Sequence, residues 1–174
     1  MTNRKPPRML AVKAQMALIL VCLVAVPAGM YGAGTLSAPG LVEQTNDVRS
    51  RSGLGTLTLN PLLSQAAQAK ALDMGARGYF SHTTPDGLSA WDLITAAGYE
   101  FQAAAENLAV GLGSDDVLVT AWMASPGHRH NILNERYTEI GIGIARGRYK
   151  GQDTIFVVQL FGKPKRVIAS STSR

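Results

Sequence analysis

Two histidines and one glutamate sit in local settings that suit chemistry: Ser81-His82-Thr83-Thr84-Pro85-Asp86-Gly87, Ala105-Glu106-Asn107-Leu108-Ala109 and Ser125-Pro126-Gly127-His128-Arg129. Groups from three separate segments meet only if a fold brings them together. Converged, two imidazoles and a carboxylate suit a divalent metal or acid–base work. As ligands, His82 and His128 with Glu106 would hold Zn2+ or another divalent cation about 2.0–2.2 Å from each donor and leave one coordination position open. Glu106 is also the candidate catalytic group, as a base whose pKa burial would raise. The competing reading is architectural: the rings bond loop backbone, and the carboxylate ties a loop down.

The neighbouring residues sort more simply. His130 follows His128 by two, which on a helix points it elsewhere, so it reads as a surface residue. Ser81 and Ser125 stand near histidines, but neither lies in a nucleophile-elbow sequence, and Ser125 reads as a helix cap. Glu139 opens a strand and reads as a sheet-end ion-pair partner or, alternatively, as a further acid reaching the site. Asn107 reads as structural, and Trp91 and Trp122 as core or cleft wall.

The elements that must position these groups have clear punctuation. A first helix is expected over Leu41 to Arg51, stopped by Gly53, followed by an extended piece from Thr56 to Leu59. Asn60-Pro61 supplies a cap and a proline at the first helical position for a second helix, which runs to Arg77 and ends at Gly78. Leu63, Ala67, Ala71 and Met74 share one face of it, and most are small enough for close packing. Pro85-Asp86-Gly87 is a turn with a preset φ, a local side-chain bond and a permissive glycine. Ser89 and Asp92 form a capping box for a short helix closed by Gly98. Ser114 or Asp115 caps a helix through Val117 to Met123, and Ser125-Pro126 starts the next. That start places His128 near the positive end of a helix dipole, which favours the neutral ring. Ile140, Ile142 and Ile144 alternate with Glu139, Gly141 and Gly143 as in a strand whose glycine face meets another backbone. Thr154 to Phe161 reads as a central strand, with Arg146 to Asp153 as the loop between the two. Helices come mostly first and strands mostly last, so the class is α+β.

The chain has 174 residues, 46% of them apolar and a formal charge of +5, enough for one domain with a real core. Four of its 17 basic residues, Arg4, Lys5, Arg8 and Lys13, precede residue 15, and the others nearly balance the 12 acidic ones. No basic patch interleaved with aromatics appears in the body, which argues against a nucleic-acid partner. The basic start, the apolar run from Met16 to Val26, Pro27 and the small residues beyond it read as a secretion signal. The run is shorter than the ~20 residues of a membrane span, although counting on to Leu36 keeps an uncleaved anchor open as the one membrane link. Cys22 is the only cysteine and lies in that run, so the exported part is expected to hold together without disulfides. The division is residues 1–37 as leader or anchor plus linker, with the Gly/Ala/Ser/Pro-rich linker over 27–39. The domain spans 38–165 and a flexible tail 166–174. There is no internal repeat.

Many ordered motifs together resemble the superfamily of cysteine-rich secretory proteins, insect venom antigens and plant pathogenesis-related proteins, the CAP or SCP domains, in its bacterial branch. They are Asn46 and Arg49 before Gly53, Asn60-Pro61-Leu62, Ala71-Leu72-Asp73-Met74, Ser81-His82 with Pro85-Asp86-Gly87, and Gly98-Tyr99. Ala105-Glu106-Asn107, Trp122, the run from Ser125 to Arg129, Asn131-Ile132-Leu133, Thr138-Glu139-Ile140-Gly141 and Gln159 to Gly162 complete the set. The resemblance implies a single-domain α-β-α sandwich with a large cleft lined by His82, Glu106 and His128. Eukaryotic members carry a second glutamate three residues after the tryptophan. Ser125 stands there instead, which weakens transfer of a four-residue site. The implied function is a secreted or surface-tethered protein whose cleft, with Glu139 and Ser125 nearby, binds a ligand and a divalent cation. The ligand would be a small molecule, a lipid or an extracellular protein. A metal-assisted hydrolase and a non-catalytic interaction or lipid-binding module are the alternatives.

Overall fold

Ser37 opens the first helix, its side chain accepting from the Gly40 amide at 3.1 Å, with proline in the first turn. The computed structural model describes residues 36–111 and 113–165. The expected leader, Cys22 and tail therefore lie outside the described residues. Helix α1 is Ala38–Arg51 and begins three residues before the expected Leu41, because Pro39 is tolerated inside a first turn. The end of the expected 27–39 linker is thus helical.

Strand β1 is Thr58–Leu59, and α2 is Pro61–Arg77. Asn60 caps α2 by accepting from the amides of Leu62 (2.9 Å) and Leu63 (3.2 Å), and Gly78 closes it at φ +67°. Helix α3, Ala90–Ala96, carries the reciprocal Ser89/Asp92 capping box. Strand β2, Phe101–Val110, is a ten-residue element to which the sequence analysis assigned nothing. Helix α4 is Asp115–Ala124, α5 is Pro126–Ile132, β3 is Glu139–Tyr149 and β4 is Gln152–Pro164. The expected loop over 146–153 is instead strand almost throughout. Lys150 (φ 51°) and Gly151 (φ 82°) make a two-residue turn of the kind that suits twisted hairpins, so pairing continues to Tyr149 and Gln152.

The sheet order is β1-β3-β4-β2, with β1 parallel to β3 and the other pairs antiparallel. As expected, β4 is internal. One apolar cluster joins Leu41, Trp122 and Ile132 to Ile140, Ile142 and Val157, so α1, α4 and α5 cover one face. The other joins Leu63, Ala67 and Ile94 to Val158 and Leu160, so α2 and α3 cover the opposite face. The result is the three-layer α-β-α sandwich. Glycine decides how closely α2 approaches: a Cβ at Gly141 would run into the Leu63 backbone, and one at Gly143 into that of Ala67.

Arg49, 2% exposed, ties α1 to the segment after α5. Its Nε donates to the Gly55 carbonyl at 2.8 Å, and its Nη1 to those of Ile132 (2.8 Å) and Asn134 (2.9 Å). The free edge of β2 is closed by side chains. The Leu108 carbonyl accepts from Trp122 Nε1 at 3.1 Å, and the Glu106 carbonyl from Asn131 Nδ2 at 3.2 Å. An edge strand left with open carbonyls would invite foreign pairing.

Candidate functional site

His82 lies in the loop between α2 and α3, and the loop is held by its own backbone. The Thr84 carbonyl accepts from the Gly87 amide at 2.9 Å, closing the Pro85-Asp86 turn, and Thr84 Oγ1 accepts from the Leu88 amide at 3.0 Å. Asp86 does not make the expected local bond. Its carboxylate takes the Arg77 guanidinium (Nη2 to Oδ1 3.1 Å), which pins the loop to the end of α2.

Glu106 enters from β2. It pairs across the sheet with Leu160, which in turn pairs with Gly141, so its side chain shares the face covered by α2. Its Oε2 is hydrogen-bonded to His82 Nδ1. The glutamate side chain is 3% exposed and the imidazole 26%, so the pair is a buried carboxylate under a half-buried ring.

His128 arrives from the opposite layer, in the first turn of α5. Asn107, fully buried, orients that turn: its Nδ2 donates to the His128 carbonyl (3.3 Å) and to Gln159 Oε1 (2.9 Å), and its Oδ1 accepts from Asn131 Nδ2 (2.8 Å). Its expected structural role holds. Burial, and next the charge of His82, lower the His128 pKa from 6.5 to about 4. The ring is therefore neutral at pH 7, as its place near a helix N-terminus led one to expect.

Ser125 holds the cap position of α5, but its hydroxyl makes no capping bond. Three buried side-chain atoms among the described residues lack a hydrogen-bond partner: Glu106 Oε1, Ser125 Oγ and His128 Nδ1. A buried polar atom left unpaired costs about 1–3 kcal/mol, so native folds carry few of them. Here they fall on three of the five expected site residues.

Glu139 is not brought to the cluster. It lies two strands and two residues from Glu106, about 12 Å by strand spacing. Its Oε2 accepts from Tyr99 Oη (2.6 Å) and from Asn60 Nδ2 (3.2 Å), so among the described residues it is a hydrogen-bond anchor and not an ion-pair partner. Tyr99 fills the space over Gly162, between Glu139 and β2. His130 is exposed, as expected, and Trp122 is core at 1% exposure.

Sequence reasoning missed Lys70. It is 1% exposed, and its Nζ donates to the His82 carbonyl at 3.2 Å and lies 5.0 Å from the centre of the Tyr79 ring. A signal existed: Lys70 follows Leu63 by seven and precedes Met74 by four, which puts a charge on the buried stripe of α2.

The residues fit a metal poorly. Among the described residues no group of three His, Cys, Asp or Glu side chains converges as ligands would, and Glu106 spends one oxygen on His82. Two concavities, of about 710 and 660 Å3, lie at the β3–β4 hairpin and beside the outer surface of α5, and none of His82, Glu106 and His128 lines either.

Residues 42–161 match the model of the cysteine-rich secretory protein family, CAP. The uncharacterized protein YkwD of Bacillus subtilis is 39% identical over 123 residues, covering 71% of this chain and 46% of that one. The chain thus spans under half the length of this curated relative. A solved extracellular SCP-domain protein from Bacillus anthracis superposes with a TM-score of 0.60 at 32% identity, over 72% of this chain and 40% of that one. An outer surface protein from Borrelia burgdorferi gives 0.61 at 29%, over 72% and 90%.

Proposed function

The chain belongs to the cysteine-rich secretory protein (CAP) family, and from that premise we propose that it is an exported protein whose His82–Glu106–His128 cluster, with Ser125, holds the polar part of a small ligand. The observation that carries this reading is the set of three buried, unpartnered atoms. A carboxylate oxygen accepts only, a neutral ring nitrogen serves either way with its tautomer, and a hydroxyl does both. A hydroxyl, amide or amine group on a ligand satisfies such a set, and function at a site is commonly maintained at some cost in stability. Export is supported by the basic-then-apolar start of the chain and by the extracellular and outer-surface relatives. Among the described residues no helix is long and apolar enough to cross a membrane. Binding is favoured over metal-assisted hydrolysis, which needs an ion with an activated water.

The test is native mass spectrometry of the purified protein beside Ser125→Ala and His128→Leu, with thermal melts at pH 7.5. The expected result is a small molecule retained by the wild type and lost from both variants, whose melting points stay level or rise. Variants that lose more than about 2 kcal/mol, with nothing retained by any form, would make these residues scaffolding.

A further inference from the structure

Among the described residues Glu106 Oε1, Ser125 Oγ and His128 Nδ1 bond to nothing, so these atoms cannot hold one another in place. Glu106 comes from the edge strand β2 and His128 from α5, in a different layer. Their relative position has to be set from behind. Among the described residues three hydrogen bonds tie α5 to β2, and all run through two side-chain amides. Asn131 Nδ2 donates to the Glu106 carbonyl at 3.2 Å and to Asn107 Oδ1 at 2.8 Å, and Asn107 Nδ2 donates to the His128 carbonyl at 3.3 Å. A chain of bonds through the core fixes which way these amides face. The Leu41 carbonyl only accepts, so the Thr45 hydroxyl spends its hydrogen there, at 2.7 Å. Its oxygen then accepts from Gln159 Nε2 at 2.9 Å, which turns Gln159 Oε1 towards Asn107 Nδ2, also at 2.9 Å. Thr45, Gln159 and Asn107 are all fully buried. Asn107 has thereby used both its N–H hydrogens, so its oxygen accepts and Asn131 must present an N–H to it.

We infer that Asn131 is the positioning residue of this site: its one amide pins the backbone of Glu106 directly and that of His128 through Asn107, and so sets where the carboxylate and the ring stand relative to each other. This rests on the cluster being a ligand site, and it goes further by naming the residue that sets its geometry. The spacing suits the task. Asn131 follows His128 by three on α5, so the two share one side of that helix. Gln159 and Thr45 lie behind in the core and hydrogen-bond to neither Glu106 nor His128. Breaking the chain at Thr45 therefore leaves both Asn131 bonds in place, whereas replacing Asn131 removes both. A buried imidazole reports the difference, because its proton affinity rises as water reaches it.

The experiment follows the ring resonances of His128 by NMR in the full chain as the pH is lowered from neutral. The wild type is compared with Asn131→Leu, close to asparagine in shape but without its N–H groups, and with Thr45→Val, each first shown to be folded by circular dichroism. Thr45→Val leaves the buried Gln159 amide without its acceptor, so it controls for lost stability alone. The wild-type ring should take up its proton with a midpoint at about 4. In Asn131→Leu, α5 loosens from β2 and water reaches the ring, so its proton affinity should rise at least about tenfold. Thr45→Val should titrate as the wild type does. If Asn131→Leu does not fold, Asn131→Ser replaces it and should show a rise of the same sign, since a hydroxyl donates one hydrogen where the amide donates two. Any small molecule retained by the wild type in native mass spectrometry should be lost from the Asn131 variant and kept by Thr45→Val. An unmoved His128 midpoint in a folded Asn131 variant, an equal rise in Thr45→Val, or retention by the Asn131 variant would overturn the inference. The titration needs no bound molecule, so failure of the positioning argument and failure of the site reading are separate outcomes.

Discussion

Replacing His128 by leucine should remove much of the acid sensitivity of this domain between pH 6.5 and 4. Burial and the neighbouring His82 charge lower the His128 pKa from 6.5 to about 4. In that window the unfolded chain takes up a proton that the folded protein refuses. Stability linked to this ring is thus fully present above pH 6.5 and is lost as pH falls towards 4. One pKa unit is about 1.4 kcal/mol, so the full loss is about 3 kcal/mol. At pH 5.5 it is about 1.3 kcal/mol, and at pH 4.5 about 2.5 kcal/mol. His128 is 8% exposed, so solvent screening discounts this little. Leucine keeps the backbone carbonyl that Asn107 holds and removes an unpaired buried nitrogen. The assay is urea unfolding of both proteins at pH 7.5, 5.5 and 4.5. Asp86, Asp92 and Asp116 have pKa values lowered first by bonds from Arg77, Ser89 and Ser114, so they titrate below this window and are common to both proteins. Their contribution cancels in the difference. Parallel stability–pH curves for the two proteins would refute the argument that His128 is buried neutral.

Three further outcomes test the frame around the site. Gly143→Ala should cost about 3 kcal/mol in a thermal melt, because its Cβ strikes the α2 backbone at Ala67 and backbone cannot swing aside. Asn60→Ala should cost about 1 kcal/mol by urea unfolding, since two amides at the start of α2 lose their acceptor. Arg49→Lys should destabilise by more than about 2 kcal/mol on chemical denaturation, because an ammonium cannot reach carbonyls at Gly55, Ile132 and Asn134 together as the guanidinium does.

Much of this architecture was legible locally. Asn60-Pro61 and Gly78 bounded α2 because a cap, a first-turn proline and a left-handed glycine are short-range devices whose energetics need no distant partner. The Ser89/Asp92 box and the glycine face of β3 were readable for the same reason, since each depends on residues a few positions apart. His82 and Glu106 were named from their settings, and they do meet.

What only the tertiary structure decided involves partners far along the chain. Residues 101–110 contain four alanines and become a strand because β4 pairs with them and Trp122 and Asn131 close their edge, which outweighs local propensity. Glu139 goes to Tyr99, forty residues away, and not to the histidines, because strand register fixes its distance from Glu106. Ser125 keeps its cap position and loses its cap bond. Lys70 sits on a stripe that periodicity marks as buried, but only the fold lays the His82 carbonyl and the Tyr79 ring against its ammonium. Local sequence determines where elements start and stop, since those choices rest on neighbouring backbone groups. Which charges share a low-dielectric interior depends on packing between layers, and packing is a property of the whole chain.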